Sequence, residues 1–245
     1  MQCPKCQQPR TEQQTTCSQC GLVFHKYDDY LRRKENLAQP ASRSELRERL
    51  IALRGSLAVP TPSMDRYLGG YLVLWGLFGV WGLSYMVLSV EELGRGFHFM
   101  HQVNLPFHEA GHVIFGFLGQ FIGSLGGTLG QLAIPIICGV ALLKTRQDTF
   151  GASLCLWWFG QNFLDIAPYM ADARAGELPL LGGNYGKSSP YGFHDWEYLL
   201  GETGLLAYDQ TLAALVQNLG RLIMLVAMLW GGYLLWRAHR DKSNR

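Results

Sequence analysis

Residues 107–122 read Phe-His-Glu-Ala-Gly-His-Val-Ile-Phe-Gly-Phe-Leu-Gly-Gln-Phe-Ile. On a helix, His108 and His112 lie four residues apart on one face. Two imidazoles at that spacing bind one Zn²⁺, and Glu109 is then placed to act as general base on the metal-bound water. No charged residue follows from Val113 to Ile122. Histidine and glutamate inside an apolar membrane segment are costly, so their presence there marks a functional site. His108 and His112 are accordingly read as metal ligands and Glu109 as the catalytic residue.

The rest of the chain fits a membrane setting. Of its 245 residues, 48% are hydrophobic and only 16% charged, against a usual charged share of about 25%. The averages conceal a division. Residues 1–66 are polar and basic, and the apolar runs begin at Tyr67. The expected organisation is a zinc ribbon over 1–27, a basic linker with a short amphipathic helix over 28–66, and a polytopic membrane domain over 67–245. The fold class is mainly α, with four to six membrane segments behind a small ribbon. The net charge of +2 comes from basic residues clustered beside the spans, where lipid headgroups and topology account for them, so no nucleic-acid partner is expected. The first residues lack the apolar run of a signal peptide. The expectation is an integral protein of the bacterial inner membrane with a cytosolic N-terminus.

Cys3-x₂-Cys6 and Cys17-x₂-Cys20 form two thiolate pairs, each from a tight turn, that together complete a tetrahedral four-sulfur site for a structural zinc. A disulfide framework is the competing reading, and a reducing cytosol disfavours it. The site is closed, without an open coordination position, and so is not catalytic. A module this small lacks a core of its own, which makes metal binding its folding energy. Residues 17–27 resemble short zinc ribbons at the start of bacterial membrane proteins. Cys138 and Cys155 lie in apolar segments and are read as packing residues. In the linker, Ser42-x-x-Glu45 matches a capping box. Leu46, Leu50 and Leu53 follow at helical spacing among Arg43, Arg47, Arg49 and Arg54, a pattern that suits either a membrane surface or packing on the protein itself.

Five apolar segments follow, over residues 67–90, 105–125, 132–143, 150–170 and 211–236. Gly126, Gly127 and Gly130 predict a tight turn. The segment 132–143 is short and interrupted by Pro135, which suits a re-entrant element lining a cavity. Basic residues favour a cytosolic location for both chain ends, whereas five crossings place them on opposite sides.

A catalytic zinc takes three protein ligands and a water. In the fourth segment Asn162, Asp165, Tyr169 and Asp172 form a polar stripe that must face protein or a water-filled cavity. Asp165, the deeper carboxylate, is the leading candidate for third ligand, with Asp172 and His194 as alternatives. Each has a structural reading too: an interhelical hydrogen bond for Asp165, an ion pair with Arg174 for Asp172, and helix capping for His194 and Asp195. His98 and His101 are read as loop residues near the membrane surface.

Phe107-His108-Glu109-Ala110-Gly111-His112, with an aspartate on a later span, resembles the site-2 protease family of membrane-embedded zinc metalloproteases. The resemblance covers residues 105–172. It implies a zinc held by His108, His112 and an aspartate of the fourth segment, with Glu109 as base, acting on a peptide bond in or near the bilayer. A membrane-protein substrate goes with that activity. Asn162 or Gln161 is the expected oxyanion or substrate contact, and the ribbon is expected to meet a cytosolic protein partner. The cofactors expected are thus two zinc ions, one structural and one catalytic. The alternative is a non-catalytic zinc-ribbon scaffold or regulator whose His-Glu site is structural or degenerate. A di-iron membrane oxygenase needs about eight histidines, and the chain has seven, two of them in the polar ends.

Overall fold

The computed structural model describes the chain apart from residues 12, 39–46, 49, 50, 53, 54, 97, 182, 190 and 245. Two units are distinct, Met1–Ser56 and Leu57–Arg245. The expected amphipathic helix, with Ser42, Glu45, Leu46, Leu50 and Leu53, lies outside the described residues.

The first unit is built on two equivalent turns. In one, Gln7 N–H donates to the Cys3 carbonyl, and in the other Gly21 N–H donates to that of Cys17, both at 2.9 Å. Each turn closes through a left-handed residue, Gln7 at φ 60° and Gly21 at φ 68°. Isolated antiparallel bridges, Gln2 with Pro9 and Thr16 with Val23, hold the flanks. Helix α1 (Phe24–Ala38) follows directly. Its first residue, Phe24, is buried against the cysteines and carries the Arg10 guanidinium 4.0 Å above its ring.

The second unit is a helical bundle: α2 (Met64–Met86), α3 (Val90–Arg95), α4 (Phe99–Phe115), α5 (Gln120–Ala141), α6 (Thr149–Ala171), α7 (Asp195–Glu202) and α8 (Asp209–Ser243). Among the described residues three helical stretches are long and apolar enough to cross a membrane, Met64–Met86, Gln120–Arg146 and Leu206–Ser243, which marks an integral membrane protein. Their outward faces carry bare apolar side chains such as Val73, Val80, Ile137, Leu215 and Leu222, as lipid contact requires.

The running directions follow from two sets of contacts. At one end Met64 of α2, Phe150 of α6 and Leu234, Leu235 and Ala238 of α8 form a single buried cluster. At the other, the Leu88 carbonyl accepts from Gln217 Nε2 at 3.0 Å and from Arg221 at 2.7 Å, and Arg174 pairs with Asp209 at 2.6 Å. Helices α2 and α6 are therefore parallel and α8 runs against them. Helix α5 finishes at the first end, because its extension to Arg146 leads straight to Asp148, which accepts from Thr61 Oγ1 at 2.9 Å.

Helix α6 is the central element, its side chains largely buried by its neighbours. A helix surrounded by protein need not be apolar throughout, which is why it carries Gln161, Asn162 and Asp165. It meets α8 where two glycines face each other: a Cβ on Gly220 would stand 2.6 Å from the Gly160 carbonyl oxygen. Small residues at such a crossing let two backbones touch.

Two expectations about the spans change. The segment 105–125 is not one helix. Helix α4 stops at Phe115, a 3₁₀ turn covers Gly116–Leu118, and Gly119 at φ 100° reverses the chain into α5. The segment 132–143 is not re-entrant but the second half of a full-length helix that absorbs Pro135. Gly126, Gly127 and Gly130, read as a turn, lie inside α5 and form its contact with α4. A Cβ on Gly126 would come 2.7 Å from the Gly111 carbonyl oxygen, and one on Gly130 would collide with that of Phe107.

Candidate metal centre

In the first unit Cys3, Cys6, Cys17 and Cys20 bring their sulfurs within 4.8 Å of one another. Cys3 and Cys20 are 3.7 Å apart, and Cys6 and Cys17 are 3.6 Å apart. Sulfurs bound at about 2.3 Å around a tetrahedral zinc stand ~3.8 Å apart. The cluster thus has the dimensions typical of a zinc-binding site. Burial opposes ionisation of Cys3, but the backbone amides of Cys6 and Lys5 point at its sulfur, and the thiol settles at about 6. The amides of Cys20 and Gln19 lower Cys17 in the same way.

In the second unit α4 and α5 build the wall of a cavity of about 450 Å³. His101, Leu105, His108 and His112 recur along one face of α4 and all line it. The facing side of α5 presents residues 123, 127 and 131, one helical turn apart. Gly123 offers its carbonyl to His112 Nδ1 at 2.8 Å, and Gln131 offers Oε1 to His108 Nδ1 at 2.8 Å. Both imidazoles donate through Nδ1 and so turn Nε2 into the cavity, the arrangement that outer partners impose on metal-bound histidine. Gly127 lies between them. A Cβ there would stand 2.5 Å from Nε2 of His108 and 2.5 Å from Nε2 of His112.

The third side chain arrives from α7. Asp195 Oδ2 lies 3.2 Å from His108 Nε2 and 3.2 Å from His112 Nε2. Two ligand atoms bound at about 2.05 Å to a tetrahedral zinc are ~3.3 Å apart, so Asp195 stands at that spacing from each imidazole, and all three donor atoms lie within 4.8 Å of one another. Burial pushes the Asp195 carboxyl up, yet the two imidazoles hold it below the usual carboxylate range. Glu109, half-buried, lines the same cavity. Thr128 Oγ1 and Gln131 Nε2 are buried without a hydrogen-bond partner among the described residues, and both residues belong to the cavity wall.

None of the three expected third ligands stands beside the histidine pair. Asp165 accepts from Asn104 Nδ2 and meets His101 Nδ1, both at 3.0 Å, the interhelical role weighed for it above. Asp172 leaves the end of α6 and accepts the backbone N–H groups of Glu177 and Leu178 at 2.8 and 2.9 Å. His194 is the N-cap of α7, its Nδ1 accepting from Glu197 N–H at 3.2 Å, with Nε2 3.4 Å from Asp172 Oδ2. These two side chains thus anchor the segment that carries Asp195. Asp195, expected from the sequence only to cap a helix, is the residue of His194-Asp195-Trp196 that faces the imidazoles.

The expected oxyanion contacts also lie elsewhere. Gln161 accepts from Asn104 Nδ2 at 3.0 Å, and Asn162 Nδ2 donates to the Trp158 carbonyl of its own helix at 3.0 Å. Neither lines the cavity of the histidines. His101 belongs to α4 rather than to a loop, and stacks on Tyr169 at 5.8 Å between ring centres.

No protein-family model, curated protein or solved structure matches this chain.

Proposed function

We propose that this chain is a membrane-embedded, zinc-dependent hydrolase that cleaves a peptide bond, with His108, His112 and Asp195 as the metal's protein ligands and Glu109 as general base. The observation that carries the reading is Asp195 Oδ2 standing 3.2 Å from each of the two Nε2 atoms beside a glutamate lining the same cavity. A closed structural site uses four protein ligands. Three, with a cavity beside them, correspond to a site that keeps a position for water or substrate. A bound zinc supplies Lewis acidity and lowers the pKa of its water towards ~7.

The protein's own groups do the rest. Gly123 and Gln131 hold the imidazole rings in register through their Nδ1 atoms. Glu109 takes the proton of the attacking water and returns it to the leaving amine. Thr128 and Gln131, whose buried donors lack protein partners, are the candidates for holding the developing oxyanion. The four-cysteine ribbon serves as a structural module for a cytosolic partner.

Comparing new protein N-termini in membranes of cells expressing the wild type and Glu109→Gln tests the reading. N-termini that vanish in the variant, with two zinc ions per chain in both purified proteins, are expected. Identical N-termini in the two samples would overturn the hydrolase in favour of a scaffold whose metal is structural.

A further inference from the structure

The two ends of the bundle differ in charge. The end that gathers the start of α2, the end of α5 and the end of α8 carries Arg66, Lys144, Arg146, Arg237, Arg240 and Lys242 against Asp65, Asp148 and Asp241, the last paired with Arg237 and Arg240. The opposite end carries Glu91, Glu92, Asp172, Glu177, Glu197 and Glu202. Of its basic residues, Arg95 pairs with Glu91 at 2.8 Å, Arg174 with Asp209 at 2.6 Å and Lys187 with Glu177 at 3.6 Å, while Arg221 donates to the Leu88 carbonyl at 2.7 Å.

Lysine and arginine close to span ends remain on the cytosolic side. Four helices, α2, α5, α6 and α8, run between the two ends, while α4, with 17 residues, is about 25 Å long against a bilayer core of ~30 Å. Four crossings place the start of α2 and the end of α8 on one side, the basic one. This removes the conflict that five crossings created.

The cavity belongs to the other end. Its mouth is framed by Leu180, Leu181, Asn184 and Phe193, all from the connection that leaves α6 at Ala171. That connection also supplies His194 and leads into Asp195. Leu181 and Phe193 are 64% and 66% exposed, apolar side chains at the rim of the cavity that holds the two imidazoles and Asp195. Such a rim suits the headgroup level, where one flank of a chain is wet and the other is in lipid.

We infer that the metal cavity opens on the extracytoplasmic face, opposite the side from which the chain enters α2, and that it takes an extended peptide segment lying just outside the membrane. The identity of its occupant as a peptide rests on the proposed hydrolase. The direction of opening does not, because it follows from charge and helix direction alone.

Two single-cysteine additions to the full chain test it. Lys187→Cys lies on the connection over the cavity and Ser243→Cys at the basic end, and both positions are exposed. Spheroplasts expressing each are treated with a membrane-impermeant maleimide carrying a polyethylene glycol mass tag, before and after lysis, with the wild type as blank for the native cysteines. Labelling of Lys187→Cys in intact spheroplasts and of Ser243→Cys only after lysis is expected. Labelling of Ser243→Cys from outside, or protection of Lys187→Cys until lysis, would overturn the inference. Zinc content and N-terminal profiles, measured separately, report on the hydrolase whichever way the labelling falls.

Discussion

Asp195 Oδ2 meets His108 Nε2 at 3.2 Å across 87 residues of chain. The contact joins α4 to a short helix of the α6–α8 connection. A metal held there ties the connection onto the bundle, so its loss has both a chemical and a structural reading.

Substituting the ligand should separate Asp195 from the aspartate favoured by the sequence. Asp195→Ala is expected to purify with one zinc per chain, the ribbon's, and Asp165→Ala with two. Elemental analysis of detergent-solubilised protein decides the matter. Loss of zinc in Asp165→Ala but not in Asp195→Ala would return the third corner to Asp165.

Gly127→Ala offers a change of unusual sign. Alanine in place of glycine inside a helix normally stabilises by about 1 kcal/mol. Here the added methyl would stand 2.5 Å from both Nε2 atoms. The expected outcome is an intact helical content by circular dichroism with the second zinc lost. Full zinc occupancy in this variant would mean that the imidazoles do not converge there.

Gln131 acts through His108 rather than on the metal. Gln131→Leu removes the acceptor for Nδ1–H while filling the same space, and outer partners of this kind are worth about 10–100-fold in metal affinity. Competition with a chelator of known affinity should show a weakening of that order at the membrane site and none at the ribbon. An unchanged affinity would count against the hydrogen bond.

The ribbon should fold with its metal and unfold without it. Backbone amides hold the Cys3 thiol at about 6, below its ordinary 9.0, while burial and the neighbouring cysteine sulfurs push Cys6 up to about 12. A lowered value favours the thiolate, so that contribution is complete above pH 9 and disappears as pH falls through about 6. Protons compete with zinc for all four thiolates, so zinc release from the ribbon is expected to rise as pH falls into the acid range, followed with a chromogenic zinc indicator on the full chain. Release already complete at pH 7.5 would contradict the four-thiolate site.

How far the sequence reaches depends on the range of the interaction. The ribbon cysteines are paired three residues apart, and their turns are local, so the four-sulfur cluster was legible directly. The histidine pair was legible for the same reason, since one helical turn sets its spacing. The polar stripe of α6 correctly announced a helix facing protein, yet not the partners of each side chain. Asp165 was an obvious ligand by depth and charge, and it is taken instead by His101 and Asn104.

Gly126, Gly127 and Gly130 show where sequence reading stops. The lack of a Cβ favours both a turn and the close approach of two helices, and nothing local distinguishes them. The neighbour decides: here it is Gly111 of α4. By itself the sequence determined a four-cysteine module, a set of apolar helices and an imidazole pair, all products of local spacing and hydrophobicity. The tertiary structure alone decided where α4 ends, that both ends of the bundle's chain share the basic side, and that Asp195 completes the trio. Those outcomes depend on which distant backbones can touch, and packing settles that rather than residue order.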